Sequence, residues 1–373
     1  MLSRQLQGQI KKRLGKGKII ILLGARQVGK TTLVQSIDQQ SDMSSLWLIG
    51  DEPDVRAMLQ NTTSTQLKSL IGKKELLILD EAQRIENIGI TLKLIADQIK
   101  HVQVIATGSS ALELADRITE PLTGRKFEFL LYPFSVKELI DHFGMLEECR
   151  MLEHRMIYGM YPEVINQPGD EKEVLAELTN SYLYKDLLAL EQVKKPVLLE
   201  KLLTALALQI GKQVSYRELG QLVGADNQTV ERYINFLEKT FIIFRLQALS
   251  RNLRNEIKKS RKIYFLDTGI RNAIIKKFQP LAMREDTGVL WENFAIAERQ
   301  KINHYSGRRV NQWFWRTHAQ QEIDLIEEGE KMSAFEFKWN PRKKVSFPRS
   351  FLQAYPDSET SVITPKNYLD FLT

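Results

Sequence analysis

The sequence predicts an α/β protein: a parallel sheet wrapped by helices, then a helical lid, a winged helix-turn-helix and a second α/β module. Three observations carry this. Short apolar runs of strand length, at 19–23, 45–49, 76–79 and 102–106, alternate with helix-patterned segments, as a sheet covered on both faces requires. The first run opens straight into a glycine-framed loop and then a helix. Beyond Pro196 the pattern becomes helix, helix, glycine turn, helix, followed by paired strands.

The chain begins with Leu2, Leu6, Ile10 and Leu14 at helical spacing, an amphipathic lead-in. After strand 19–23 comes Gly24-x-x-x-x-Gly29-Lys30-Thr31, then a helix from Thr32 to about residue 40. This is the phosphate-loop signature in its proper context, so the sheet is expected to be of the P-loop NTPase kind. An anionic phosphate tail needs several backbone N–H groups aimed from one concave loop, and glycines permit that approach. Gly24, Ala25, Arg26, Gln27, Val28, Gly29, Lys30, Thr31 and Thr32 are therefore the nucleotide-binding candidates. Lys30 is expected to reach the β- and γ-phosphates, and the Thr31 hydroxyl to ligate Mg²⁺.

The second strand is 45–49, ended by Gly50-Asp51-Glu52-Pro53. The third, around 76–79, delivers Asp80-Glu81 at its carboxyl end, where open α/β sheets bind ligands. Asp80 is expected to hold Mg²⁺ and Glu81 to polarise the attacking water. The fourth strand ends in Thr107, Ser109 and Ser110, within reach of the γ-phosphate or the lytic water; a helix cap by Ser109 is the rival reading. A fifth strand is expected at 127–131. Hydrolysis at such sites needs a cation against the developing charge. Arg125 is the first candidate, in cis or from a neighbouring subunit of an oligomer, with Arg117 and Arg26 behind it.

Composition sets the bounds. The 373 residues suit two or three domains, and 43% hydrophobic content supports ordinary cores. A net charge of +7 permits a nucleic-acid partner without requiring one. Cys149 is the sole cysteine, which excludes an intrachain disulfide or a cysteine zinc site and suits a reducing compartment. No apolar run approaches the ~20 residues of a membrane span, so a cytoplasmic location without a membrane partner is expected.

Residues 135–195 are helical by pattern, with a break at Gln167-Pro168-Gly169-Asp170. From 196, an apolar helix at 197–210 precedes Ser215…Glu218, which reads as a capping box, and Gly224 turns the chain into a helix at 227–237. Strands at 241–246 and 262–266 flank Arg251, Arg254, Lys258, Lys259 and Arg261, a basic wing. This places Gln228, Thr229 and Arg232 toward a DNA groove; a protein-contact module is the alternative. In the last third, Asp324, Glu336 and Lys338 lie on adjoining strands, with Glu336 and Lys338 two apart and thus on one face. Two carboxylates can hold Mg²⁺ and a lysine can assist a metal-bound water; an exposed ion pair is the bland alternative. Trp291, Trp313, Trp315 and Trp339 are spaced as core aromatics, and His304 and His318 as surface histidines.

Gly-Ala-Arg-Gln-Val-Gly-Lys-Thr-Thr-Leu (24–33), Leu-Asp-Glu-Ala-Gln (79–83), Ala-Thr-Gly-Ser-Ser (106–110), Leu-Thr-Gly-Arg-Lys (122–126) and Leu-Tyr-Pro-Phe-Ser (131–135) together resemble the prokaryotic AAA-type ATPases. In particular they resemble the branch fused to a C-terminal domain of unknown function related to restriction-type nucleases. Residues 158–163 and 182–186 look like that branch's helical connector. The resemblance implies ATP binding and hydrolysis with Mg²⁺, and it adds Glu292, on a helix, to the restriction-endonuclease-like set Asp324, Glu336 and Lys338. The expected division is an ATPase domain over 1–134, a lid over 135–195, a winged helix over 196–270 and a nuclease-like domain over 271–373. The alternative function is a nucleotide-gated DNA-binding regulator, or a protein-interaction module, in which the nuclease-like residues are inert.

Overall fold

Five parallel strands in the order β2-β3-β4-β1-β5 form the first sheet. The computed structural model describes residues 2–109, 122–180, 195–249, 261–317 and 319–372. Its chain divides into two units, Met1–Phe134 with Lys239–Phe241, and Ser135–Glu238 with Ile242–Thr373.

In the first unit, α1 (Gln5–Lys11) leads into β1 (Ile19–Leu23), α2 (Lys30–Gln39) and β2 (Ser45–Ile49). Then follow α3 (Pro53–Leu59), α4 (Ser64–Ile71), β3 (Leu76–Asp80), α5 (Ile88–Gln98), β4 (Gln103–Gly108) and β5 (Lys126–Leu130). β1, β3 and β4 are buried along their whole length, which is why their sequences run apolar without alternation. α3 and α4 follow the stretch Gly50–Pro53 that ends β2, and the sequence announces neither. Their buried residues are few, Val55 with Leu59 and Leu67 with Ile71, so the helical period is faint. Local chemistry starts both: Pro53 stands in the first turn of α3, and Thr63 with Gln66 forms a reciprocal capping box before α4.

Parallel register gathers the carboxyl ends on one edge. Ile49 pairs with Asp80, and Leu23 with both Gly108 and Leu130. The amino ends lie on the opposite edge, where Ile19 N–H donates to the Arg125 carbonyl at 2.9 Å.

The second unit begins with five short helices, α6 (Val136–Phe143), α7 (Met145–Arg150), α8 (Leu152–Tyr158), α9 (Pro162–Asn166) and α10 (Glu171–Leu178). After them come α11 (Pro196–Leu208), α12 (Tyr216–Val223) and α13 (Asn227–Lys239). Ser215 caps α12 by accepting the Glu218 N–H. Next are β6 (Ile243–Ala248), β7 (Arg261–Phe265), α14 (Thr268–Ile274) and α15 (Thr287–Ser306). The unit ends with β8 (Asn311–Arg316), β9 (Glu322–Glu328), β10 (Met332–Phe337), α16 (Arg349–Ala354), β11 (Glu359–Ile363) and α17 (Tyr368–Leu372).

The six strands among the described residues of this unit share one mixed sheet, β11-β10-β9-β8-β6-β7. β8, β9 and β10 form an antiparallel meander, and β11 runs parallel to β10. β6 runs parallel to β8 through Gln247–Trp313 and Ala248–Phe314, and antiparallel to β7. The two strands expected to flank the wing, β6 and β7, are thus the edge pair of this sheet, whose other four strands lie beyond residue 270. Trp291 is fully buried, with Trp339 and Tyr368 packed edge-on at 5.8 and 5.9 Å between ring centroids. Trp313 and Trp339 are only half-buried. Among the described residues, no helix is long and apolar enough to cross a membrane.

Candidate functional site

The carboxyl edge of the first sheet collects the predicted nucleotide residues. β1 ends at Leu23 and the chain turns through residues 24–29 into α2. A Cβ on Gly24 would lie 2.3 Å from the Leu131 carbonyl oxygen, so the loop's first position is closed to side chains. Gly29 is the N-cap of α2 in the left-handed region, φ 91°, and no side chain caps the first turn. The start of a ten-residue helix is thereby left bare of side-chain acceptors, the arrangement that suits an anion. Gly24, Ala25, Val28 and Lys30 are buried, while Arg26, Gln27 and Thr32 are exposed.

Lys30 Nζ donates to the carbonyls of Gly24 (3.0 Å) and Ala25 (2.9 Å), so its ammonium sits inside the loop. Burial pushes its pKa down to about 8, against the pull of Glu81 and Asp80. Asp80 is buried and held from both sides. The Thr31 hydroxyl donates to its Oδ2 at 2.8 Å, and the Thr107 hydroxyl to its Oδ1. Thr107 in turn accepts the Glu81 N–H at 3.1 Å. Glu81 occupies the left-handed region, φ 50°, a conformation that non-glycine residues seldom adopt outside constrained sites. Gln83, also buried, donates from Nε2 to the Glu81 carboxylate and to Ser109 Oγ at 3.0 Å. A glycine-lined loop, an ammonium within it and a hydroxyl–carboxylate pair at its mouth together fit a nucleotide phosphate chain with a divalent cation.

One predicted residue is elsewhere. Arg125 precedes β5 at the amino edge, roughly 16 Å of strand from the loop, and its Nε pairs with Asp97 Oδ1 at 2.7 Å. It cannot complete its own site in cis. Arg117 and Ser110 lie outside the described residues. Two residues escaped the sequence reading. Gln83 follows Glu81 in the motif, but an amide there carries no signal of its own. Arg4, the buried N-cap of α1, donates to the Val28 carbonyl at 2.9 Å and the Tyr132 carbonyl at 2.5 Å, and packs on Phe134 at 4.4 Å. It ties the lead-in helix to the phosphate loop.

In the second unit, Glu292, Asp324, Glu336 and Lys338 do converge. Lys338 Nζ lies 2.6 Å from Glu336 Oε2 and 3.6 Å from Asp324 Oδ2, which also accepts the Phe337 N–H at 3.0 Å. The sequence missed three further members. Lys262 and Tyr264 come from β7 and Glu322 from β9. Lys262 Nζ lies 3.0 Å from Glu292 Oε1, 2.6 Å from Glu322 Oε1 and 3.8 Å from Asp324 Oδ1, and is 1% exposed. Tyr264 donates to Glu292 at 2.6 Å. Burial, reinforced by Asp324, pushes the Glu292 carboxyl up to about 7, although Lys262 and Tyr264 oppose it. Among the described residues, no group of three or more histidine, cysteine, aspartate or glutamate side chains is placed to hold a metal.

On α13, Gln228 and Arg232 are exposed. Thr229 is not available in the same way: its hydroxyl donates to Asp226 Oδ2 at 2.9 Å and its N–H to Oδ1 at 2.7 Å. Of the wing cations, Arg261 stacks on Tyr216 at 4.0 Å and lies 3.9 Å from Glu231. Arg251, Arg254, Lys258 and Lys259, with residues 182–186 and His318, lie outside the described residues.

Residues 16–140 match the family described as AAA domain. Residues 149–281 and 287–369 match two domains of unknown function, DUF8612 and DUF4143. An uncharacterized protein of Mycobacterium tuberculosis is 23% identical over 360 residues, 95% of this chain and 77% of its own. One of Haemophilus influenzae is 22% identical over 284 residues, 69% of this chain and 70% of its own. Among solved structures, a Walker-type ATPase of Pyrococcus abyssi aligns with a TM-score of 0.50 and 16% identity, covering 74% of this chain and 96% of that one. The N-terminal region is thus similar to AAA domains, and its fold to that of a Walker-type ATPase.

Proposed function

We propose that this chain binds ATP with Mg²⁺ and hydrolyses it, and that the nucleotide state governs a C-terminal half that contacts DNA. The observation that carries the first part is Asp80, buried between the Thr31 and Thr107 hydroxyls beside a loop whose interior holds Lys30. Lys30 and the loop N–H groups bind the phosphates, Thr31 and Asp80 hold the divalent ion, and Glu81 orients and polarises the water. Bound Mg²⁺ supplies charge neutralisation on the phosphates. The closeness of Thr31 to Asp80 and of Lys30 to the loop interior supports this reading.

DNA contact is supported by the exposed Gln228 and Arg232 on the last helix of a helix-turn-helix. The cluster of Glu292, Asp324, Glu336 and Lys338 supports a nuclease-like ancestry for this half, without requiring cleavage.

Steady-state ATP turnover with Mg²⁺ tests the reading, with and without duplex DNA. Lys30→Ala is expected to abolish nucleotide binding. Glu81→Gln is expected to keep binding and to lose turnover by roughly 10²-fold or more. Wild-type turnover in the Glu81→Gln protein would remove the proposed base.

A further inference from the structure

We infer that Lys262 stands where a nuclease-like centre would hold its divalent cation, so that this carboxylate cluster is closed to metal. The inference builds on the nuclease-like reading of the second unit and is independent of the ATPase reading.

The geometry is that of an occupied cation site. One ammonium, almost wholly removed from solvent, faces carboxylates from α15 and β9: Glu292 at 3.0 Å, Glu322 at 2.6 Å and Asp324 at 3.8 Å. Its position is fixed by backbone, because β7 is hydrogen-bonded into the same sheet through β6. Both oxygens of Asp324 are in use, Oδ1 toward Lys262 and Oδ2 toward the Phe337 N–H and Lys338. Glu322 is further engaged by Arg316 at 3.2 Å. Glu336 is paired with Lys338.

A hard divalent ion needs oxygens turned inward at about 2.0–2.1 Å for Mg²⁺, with room for its waters. Here those oxygens already surround an ammonium, and a second cation beside it would face direct repulsion in a poorly solvated place. Charge balance points the same way. Four carboxylates, Glu292, Glu322, Asp324 and Glu336, meet three cations, Lys262, Lys338 and Arg316. Adding a dication would overcompensate them, whereas deleting Lys262 would leave a buried excess of negative charge that calls for one.

Manganese binding measured by electron paramagnetic resonance on the full chain, without nucleotide, tests this. Every sample carries Asp80→Asn to silence the nucleotide-site ion, and ATP turnover of the Asp80-intact proteins is read separately. With Lys262 present, Asp324→Asn is expected to change nothing in the Mn²⁺ titration. Lys262→Ala is expected to gain a Mn²⁺ site that disappears on adding Asp324→Asn, and to melt several degrees higher with Mn²⁺ than without. Mn²⁺ binding that depends on Asp324 while Lys262 is intact would overturn the inference, as would a folded Lys262→Ala protein that binds none. Should Lys262→Ala fail to fold, the Lys262-intact titration decides alone. A plasmid nicked in Mg²⁺ or Mn²⁺ by the wild type but not by Asp324→Asn would also overturn it.

Discussion

Gln83 bridges Glu81 and Ser109: one carboxamide nitrogen donates to the Glu81 carboxylate and, at 3.0 Å, to Ser109 Oγ. It links the strand carrying the proposed base to the end of β4, and it holds the side chain of a residue whose backbone is already in an uncommon conformation. Gln83→Ala is expected to lower kcat about tenfold, a fraction of what loss of the base itself costs. Affinity for ATP should stay within about twofold, because the bond from Gln83 to Glu81 bears on the attacking water rather than on the grip of the phosphates. Gln83→Glu, which sets a second carboxylate against Glu81, should be slower still. A rise in KM with kcat unchanged would show that Gln83 serves binding instead.

Lys30 gives a pH signature. Its folded pKa of about 8 lies below the ordinary 10.5 because burial disfavours the charged form. Below about pH 8 both states carry the proton and the cost of burying it is present in full. Between about pH 8 and 10.5 the unfolded chain holds more protons, so stability of the nucleotide-free protein rises with pH. Subtracting the profile of Lys30→Met, obtained by urea unfolding across that range, should isolate this rise. Parallel profiles would show that Lys30 is not buried as a cation.

Arg125 should be silent in its own subunit. It sits at the far edge of the sheet in a partly exposed pair with Asp97. Arg125→Ala is expected to leave stability almost unchanged and dilute turnover within about twofold of wild type. A loss confined to concentrations at which the protein self-associates would identify it as a residue acting on a neighbour's site. A tenfold loss at all concentrations would contradict its placement.

Arg232 is the exposed cation of α13. Arg232→Ala should weaken duplex binding across sequences and reduce the salt slope by about one, as removal of a single phosphate contact does. Fluorescence anisotropy over a salt series reads both quantities. An unchanged slope, with binding intact, would move the DNA surface away from this helix.

What the sequence disclosed and what it hid divide along the line between contiguous and distant signals. Gly24 to Thr31 and Asp80-Glu81 announce themselves because loop, helix start and strand end are neighbours along the chain. The cluster around Asp324 was half legible. Glu336 and Lys338 are two apart on one strand, but Lys262 reaches them only through the pairing of β7 with β6 and β6 with β8. No spacing rule encodes that. The same non-local pairing hid the place of β6 and β7, since two strands after a run of helices look alike whether they pair only with each other or join a larger sheet. Arg4 was hidden for a related reason: its partners, Val28 and Tyr132, are main-chain carbonyls, which any residue type supplies.

The placement of β6 and β7 decides how this polypeptide can be dissected. A cut at residue 270 would strip β6 from its parallel neighbour and leave Trp313 and Phe314 without their ladder partners Gln247 and Ala248. A raw sheet margin of that kind recruits other chains. It would also take Lys262 with the amino-terminal piece and strand four carboxylates in the other, so helices α11–α13 and the acidic cluster are best studied on one continuous polypeptide.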